Sequence, residues 1–174
     1  NRRRIVDALI PDAPLATLYQ IHSANVVRVL SAGAAQERPE GDALVTERPG
    51  ILLGILTADC APVLFADGTA GVVGAAHAGW KGAIAGVTDR TIEAMEKLGA
   101  RADRIHAAIG PCIAQKSYEV DAGFLTRFCE SDPENERFFR DAQRPDHYQF
   151  DLEGYVTARL AAAGVRTVEA MGLD

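Results

Sequence analysis

What this 174-residue chain lacks narrows its character first. No apolar run approaches the about 18 residues that a membrane-spanning helix needs. Cysteine is scarce. Cys60, Cys112 and Cys129 make an odd, widely spaced set. They do not read as a disulfide framework and fit a reducing compartment, so a cytoplasmic location is expected. Basic residues are outnumbered, 18 against 24 acidic, for a net charge of -6. A duplex nucleic-acid binder usually carries a basic face, and this balance argues against one. The short catalytic signatures are missing as well. There is no GxxxxGK[ST], and the glycines from 71 to 86 do not form GxGxxG. CxxC, HExxH and GxSxG are also absent. These absences remove the Walker phosphate loop, the dinucleotide fingerprint, the common zinc motifs and the serine nucleophile elbow.

What is present reads as one globular domain: 48% hydrophobic and 24% charged residues, enough apolar material for a sizeable core. Strand character marks 15–20, 26–30, 105–109 and 167–170. The stretch GDA at 41–43 reads as a turn. The continuous apolar run ILLGIL at 51–56 predicts a strand buried on both faces. PVLFA at 62–66 and GVVGAA at 71–76, joined by an AspGly signal, predict a hairpin. Then the period changes. Ile84, Val87, Thr91, Ile92, Met95 and Leu98 recur at helical steps, with Gly99 closing a helix of about four turns. Asp121 and Asp151 are candidate caps of two further helices. Strands precede the first of these helices in succession, so the class is α+β with a mixed sheet.

His22, Cys60 and His77 each sit where a predicted strand gives out. Strand ends open onto a sheet rim, where separate segments converge. One thiolate and two imidazoles suit zinc, and three protein ligands leave the fourth position open, as catalytic sites do. Taken singly, each reads equally as a small buried hydrophobe or a hydrogen-bonded histidine. Asp59, beside Cys60, is placed to orient a histidine or take a proton, or simply to satisfy turn N–H groups. HAGWKG at 77–82 runs into the predicted helix, where Gly79, Trp80 and Lys81 read either as a phosphate cradle or as a tight packed turn. Cys112, after GlyPro, is a candidate pocket residue. Arg2, in ArgArgArg, is either solvated or a phosphate contact. His106 and His147 read as structural or solvated. The acidic loop at 128–139 carries no recognisable chemistry.

Five stretches occur in order: QIHSANV (20–26), GDALVT (41–46), TADCAPV (57–63), AHAGWKG (76–82) and IGPCI…YEV (109–120). Together they resemble the YfiH-like family, once labelled multicopper polyphenol oxidoreductase or laccase. Its members are described as zinc-dependent purine nucleoside phosphorylases with adenosine deaminase activity. The resemblance implies that His22, Cys60 and His77 are the metal ligands. It implies that adenosine, inosine, guanosine and methylthioadenosine form the substrate class. Asn25 of QIHSANV joins Lys81, Gly79, Trp80, Cys112 and Arg2 as candidates for holding substrate or phosphate. A four-layer α/β/β/α arrangement is also implied. Family members usually begin earlier and continue into an aromatic and arginine-rich tail. Residues 1–174 are therefore expected to be one catalytic domain without that start and tail.

Three other functions compete. Cys60 and His77 form a thiolate–imidazolium pair in a cysteine hydrolase. Copper replaces zinc in a polyphenol oxidase, although four histidines are few for several copper ions. Or the chain is a non-catalytic partner of a cell-wall enzyme. The leading expectation requires purine nucleoside and phosphate, and neither nucleic acid nor membrane.

Overall fold

The computed structural model describes residues 2–31 and 38–174. Its centre is a mixed six-stranded sheet. β2 (Val26–Arg28), β3 (Ala43–Thr46), β5 (Ala61–Asp67), β6 (Val72–Ala78), β7 (His106–Ile109) and β11 (Thr167–Ala170) lie in the order β11-β7-β5-β6-β3-β2. The β5–β6 hairpin is its spine. Along β5, Ala61, Val63, Phe65 and Asp67 turn inward, and Leu64 between them is 56% exposed, the period-2 pattern of a sheet with one covered face.

Helices cover that face. α3 (Val87–Glu96) packs on β3 and β6, and α5 (Leu152–Ala162) packs on β5 and β7. Val63, Phe65, Ala76, Ile92, Met95 and Leu160 share this core. Asp151 caps α5 by accepting the Gly154 N–H at 2.8 Å, as its position before the apolar run predicts. On the opposite face a smaller core of Ala16, Leu18, Val29 and Leu44 seats a two-stranded parallel ribbon, β1 (Leu15–Thr17) with β4 (Leu52–Gly54). The described residues do not build a complete second sheet there. A three-stranded sheet, β8 (Glu119–Asp121), β9 (Phe139–Asp141) and β10 (His147–Phe150), lies beside α4 (Ala122–Ser131). Phe124, Phe128, Phe139 and Phe150 interlock there, and Trp80 meets Phe124 at 5.1 Å between ring centroids. An N-terminal helix, α1 (Arg2–Leu9), completes the described elements of this mixed single domain. No helix among the described residues is long and apolar enough to cross a membrane.

Three expectations change. The run at 51–56 is the short edge ribbon β4, only half-buried, because it pairs with β1 alone. The helix expected from Ile84 starts earlier, as α2 (Trp80–Ile84), and breaks at Gly86 before α3. Gly86 has φ +82°, a left-handed conformation that no helix continues through and that glycine adopts without strain. The turn at 41–43 is instead the entry to a buried strand, with Asp42 fully enclosed.

Candidate metal centre

The hairpin register pairs Ala61 with Ala78 and Pro62 with His77. Cys60, just before β5, therefore lies at the strand end beside His77. Across β6, Ala43 pairs with Ala76, which sets Asp42 against His77. The His77 N–H donates to the Asp42 carbonyl at 2.7 Å. Sheet register thus fixes three of the participants. His22 arrives differently, on the turn between β1 and β2, with φ +60°. A non-glycine residue holds such a backbone only where its surroundings over-determine it.

The Asp42 side chain is what over-determines it. Its carboxylate accepts the N–H groups of Ile21 (3.2 Å), His22 (3.0 Å) and Ser23 (2.6 Å), and the Ser23 hydroxyl (2.8 Å). It also lies 2.8 Å from His77 Nδ1. Burial pushes the Asp42 carboxyl up, but the hydrogen bonds from His77, Ser23 and His22 outweigh it and hold its pKa below the ordinary value. An ionised carboxylate only accepts, so Nδ1 of His77 carries a hydrogen and Nε2 is the ring nitrogen left for another partner.

One potential ligand atom each from His22, Cys60 and His77 lies within 4.8 Å of the other two. Cys60 Sγ is 3.8 Å from His22 Nε2, and the two imidazoles meet edge-on at 4.7 Å. Tetrahedral zinc separates a sulfur and a nitrogen ligand by about 3.5 Å. The donor set and spacing fit that ion. Gly79 is shaped by the same cluster. A Cβ there would stand 2.7 Å from Cys60 Sγ and 2.9 Å from His22 Cδ2, so any side chain would displace two of the three. A His₂Cys set also occurs in blue-copper centres, which add a weak methionine. Here Met95 is buried under α3 and Met171 lines a separate groove, so neither supplies it. No second group of three such ligands occurs among the described residues.

A family model described as multi-copper polyphenol oxidoreductase laccase matches residues 1–174. The chain belongs to this family. Its relatives include a protein of Deinococcus radiodurans named purine nucleoside phosphorylase, 50% identical over 74% of this chain and 49% of that protein. Another, from an unknown prokaryotic organism, is named adenosine deaminase RL5, 42% identical over 58% of this chain and 41% of that protein. Among solved structures, YfiH of Bacillus licheniformis superposes with a TM-score of 0.90 at 28% identity, over 99% of this chain and 68% of that one. The chain thus spans about half the length of those two named relatives.

His22 and Cys60 open onto a cavity of about 300 Å³, bordered also by Asp59, Trp80, Lys81 and Tyr118. Burial, then the charges of Asp59 and Asp42, push the Cys60 thiol up. Burial and the negative charges of Cys60 and Asp59 push the Tyr118 phenol up to about 12, which leaves it a neutral donor on the cavity wall. Asp59 itself is exposed, and the carboxylate that orients a histidine is Asp42, two strands away in the sheet. Three other candidates do not reach the cluster. Cys112 is buried in the core, with its thiol raised to about 11 by burial and nearby carboxylates. Asn25 serves the backbone, its carbonyl accepting from the N–H groups of Asp42 and Ala43. Arg2 on α1 borders a separate apolar groove with Leu52 and Met171. Asp42 and Tyr118 are the site residues that sequence reading passed over. The available signal for Asp42 was a carboxylate directly before the apolar stretch ALVT.

Proposed function

We propose that this chain carries the catalytic centre of a zinc-dependent purine nucleoside phosphorylase with adenosine deaminase activity. Adenosine, inosine, guanosine and methylthioadenosine form its substrate class. The observation behind the reading is the convergence of His22, Cys60 and His77 to within 4.8 Å of one another, beside a cavity that His22, Cys60 and Trp80 line, in a family whose members bear those two names. Zinc with an open fourth position supplies a nucleophilic water near neutral pH. The protein's own groups do the rest. His22, Cys60 and His77 hold the ion. Asp42 fixes the tautomer of His77 and the turn that presents His22. Trp80 offers a flat apolar surface to a purine, and the Tyr118 hydroxyl donates a hydrogen bond to it. Lys81, with Nζ 5.5 Å from the Trp80 ring centroid, supplies positive charge for phosphate. The phosphate cradle gains little from the helix dipole, since α2 has only five residues.

The cysteine hydrolase draws less support. A reactive thiol needs a neighbour that lowers its pKa, and Cys60 is instead pushed up, with its contact to His22 and not His77.

Metal analysis joined to turnover tests the reading. The expected result is about one zinc per chain. Inosine cleavage should need phosphate, and adenosine deamination should proceed without it. Both should disappear in the His22→Ala, His77→Ala double variant. A metal-free protein labelled stoichiometrically at Cys60 by iodoacetamide would point to the hydrolase. Catechol oxidation that scales with bound copper and matches nucleoside turnover would restore the oxidase.

A further inference from the structure

His22 and Cys60 come from two segments that the sheet does not pair. The parallel register of β1 with β4 sets Leu15 against Leu52 and Thr17 against Gly54. Continued, it would set Tyr19 against Leu56. Tyr19 is engaged elsewhere. Its N–H donates to the Pro39 carbonyl at 3.0 Å, and its carbonyl accepts the Gly41 N–H at 3.2 Å. The ladder therefore stops, and the backbone of Leu56 faces a chain that has turned away.

Gln20 fills that gap with its side chain. Its Oε1 accepts the Leu56 N–H at 2.9 Å, and its Nε2 donates to the Leu56 carbonyl at 2.7 Å. The amide offers the same acceptor and donor as a peptide unit and meets both polar groups of one residue. Gln20 lies two residues before His22, and Leu56 lies four before Cys60. Among the described residues, the other backbone tie between 56–60 and the rest of the fold is the Asp59 carbonyl, which accepts the Ile113 N–H at 2.9 Å. The His22 turn is thus joined to each of the other two ligand segments by one side chain. Asp42 joins it to His77, and Gln20 joins it to the approach of Cys60. The Gln20 bonds are exposed, where a substitution changes folding stability little, so their contribution is geometric.

We propose that Gln20 is a positioning residue of the metal centre. Its amide holds the His22 turn and the approach of Cys60 as one unit and presets the spacing of the two side chains before an ion arrives. That the ion is zinc and serves catalysis rests on the proposed function. The joining of the two segments does not.

Two variants separate the bonds from the packing. Gln20→Met keeps the length of the side chain and loses both bonds. Gln20→Glu keeps the acceptor for the Leu56 N–H and loses the donor. Zinc affinity of the purified chain is measured by competition with a chromophoric chelator, well below the melting temperature. It should fall roughly tenfold in Gln20→Met and less in Gln20→Glu. The amides of Ile21, His22 and Ser23 are held by Asp42 and not by Gln20. In the metal-free proteins they should exchange with deuterium severalfold faster in Gln20→Met. Asn135→Ala is the control. It removes another side-chain amide, one that donates to the Phe128 carbonyl at 3.0 Å in the core. It should lower the melting temperature and leave zinc affinity and this exchange unchanged. Circular dichroism verifies each fold, and should Gln20→Met fail to fold, the comparison is read from Gln20→Glu. Unchanged zinc affinity in the folded variant overturns the role. So does an equal loss in Asn135→Ala, which would trace the effect to general stability. A parent chain that binds no zinc removes the metal reading, and the exchange then decides alone: faster exchange in Gln20→Met keeps the positioning role, and unchanged exchange removes it. Zinc affinity that depends on Gln20, in a chain that turns over no nucleoside, keeps the role and removes the proposed activity.

Discussion

His77 and His22 face one another at 4.7 Å yet are held by different means. His77 lies on the longest strand pair of the central sheet, 4% exposed, bonded through its backbone and its ring to Asp42. His22 lies on an exposed turn in a left-handed backbone conformation, and its ring has no such anchor. Its backbone N–H, not its side chain, is what Asp42 holds. One ligand is thus positioned by sheet register and the other by a turn. A single buried carboxylate enforces both. The comparison teaches that rigidity at a metal centre need not be uniform, provided the stiff and the soft ligand share one reference point.

Removing that reference point has the largest expected effect. Asp42→Ala orphans the buried His77 Nδ1 and the part-buried donors of the His22 turn, and should cost about 3 to 5 kcal/mol of stability and eliminate zinc binding. Urea denaturation and metal stoichiometry measure the two losses. Retained zinc affinity would mean that the two histidines are placed independently. His77→Ala comes next. It opens a buried space and leaves Asp42 short of a donor, for about 2 to 4 kcal/mol along with the metal.

Acid reproduces part of the Asp42 effect in the unaltered protein. Because the folded pKa of Asp42 is lowered, its contribution is complete above the unfolded value of about 3.9. That contribution is lost as pH falls through the lower folded value. The decline in urea midpoint below that range should flatten in Asp42→Asn, and an equal slope would assign the acid sensitivity elsewhere.

Cys60→Ala should abolish zinc binding and turnover while costing under about 1 kcal/mol between the metal-free proteins, since a half-buried thiol at a strand end packs little. Loss of folding would return Cys60 to the core. The smallest change carries the sharpest contrast. His22→Gly should lose the metal, yet with both proteins stripped of metal it should melt no lower than the parent and gain up to about 1 kcal/mol as the left-handed strain is relieved. A clear drop in melting temperature would show that the His22 ring contributes to stability as His77 does.

Much of this was legible in the residues. The hairpin, the caps Asp121 and Asp151 and the placement of Cys60 and His77 near strand ends follow from local periodicity and turn chemistry, whereas His22 lies on a turn beyond β1 and not at a strand end. Asp42 was not legible as the hub. Its partners lie 19 to 21 and 35 residues away, and no local pattern encodes a pairing between a strand entry and two distant segments. Gly86 looked like an ordinary helix interior because its neighbours keep the apolar spacing, and only its positive φ reveals the break. Trp80 reads as core or as a stacking surface, and it contacts Phe124 on one side while lining two cavities.

The double link between Asp42 and His77 also sets an order of events during folding. The β5–β6 hairpin closes a short loop and forms early, while β3 joins β6 only after a longer closure. Until β3 docks, Asp42 has no place beside His77, and without Asp42 the His22 turn has no reason to adopt its left-handed form. A chain with the hairpin alone presents Cys60 and His77 without a placed His22. Capture of an ion that needs all three residues would therefore come last. On the proposed function, the rate at which a refolding chain takes up zinc would be a clock for the completion of the central sheet.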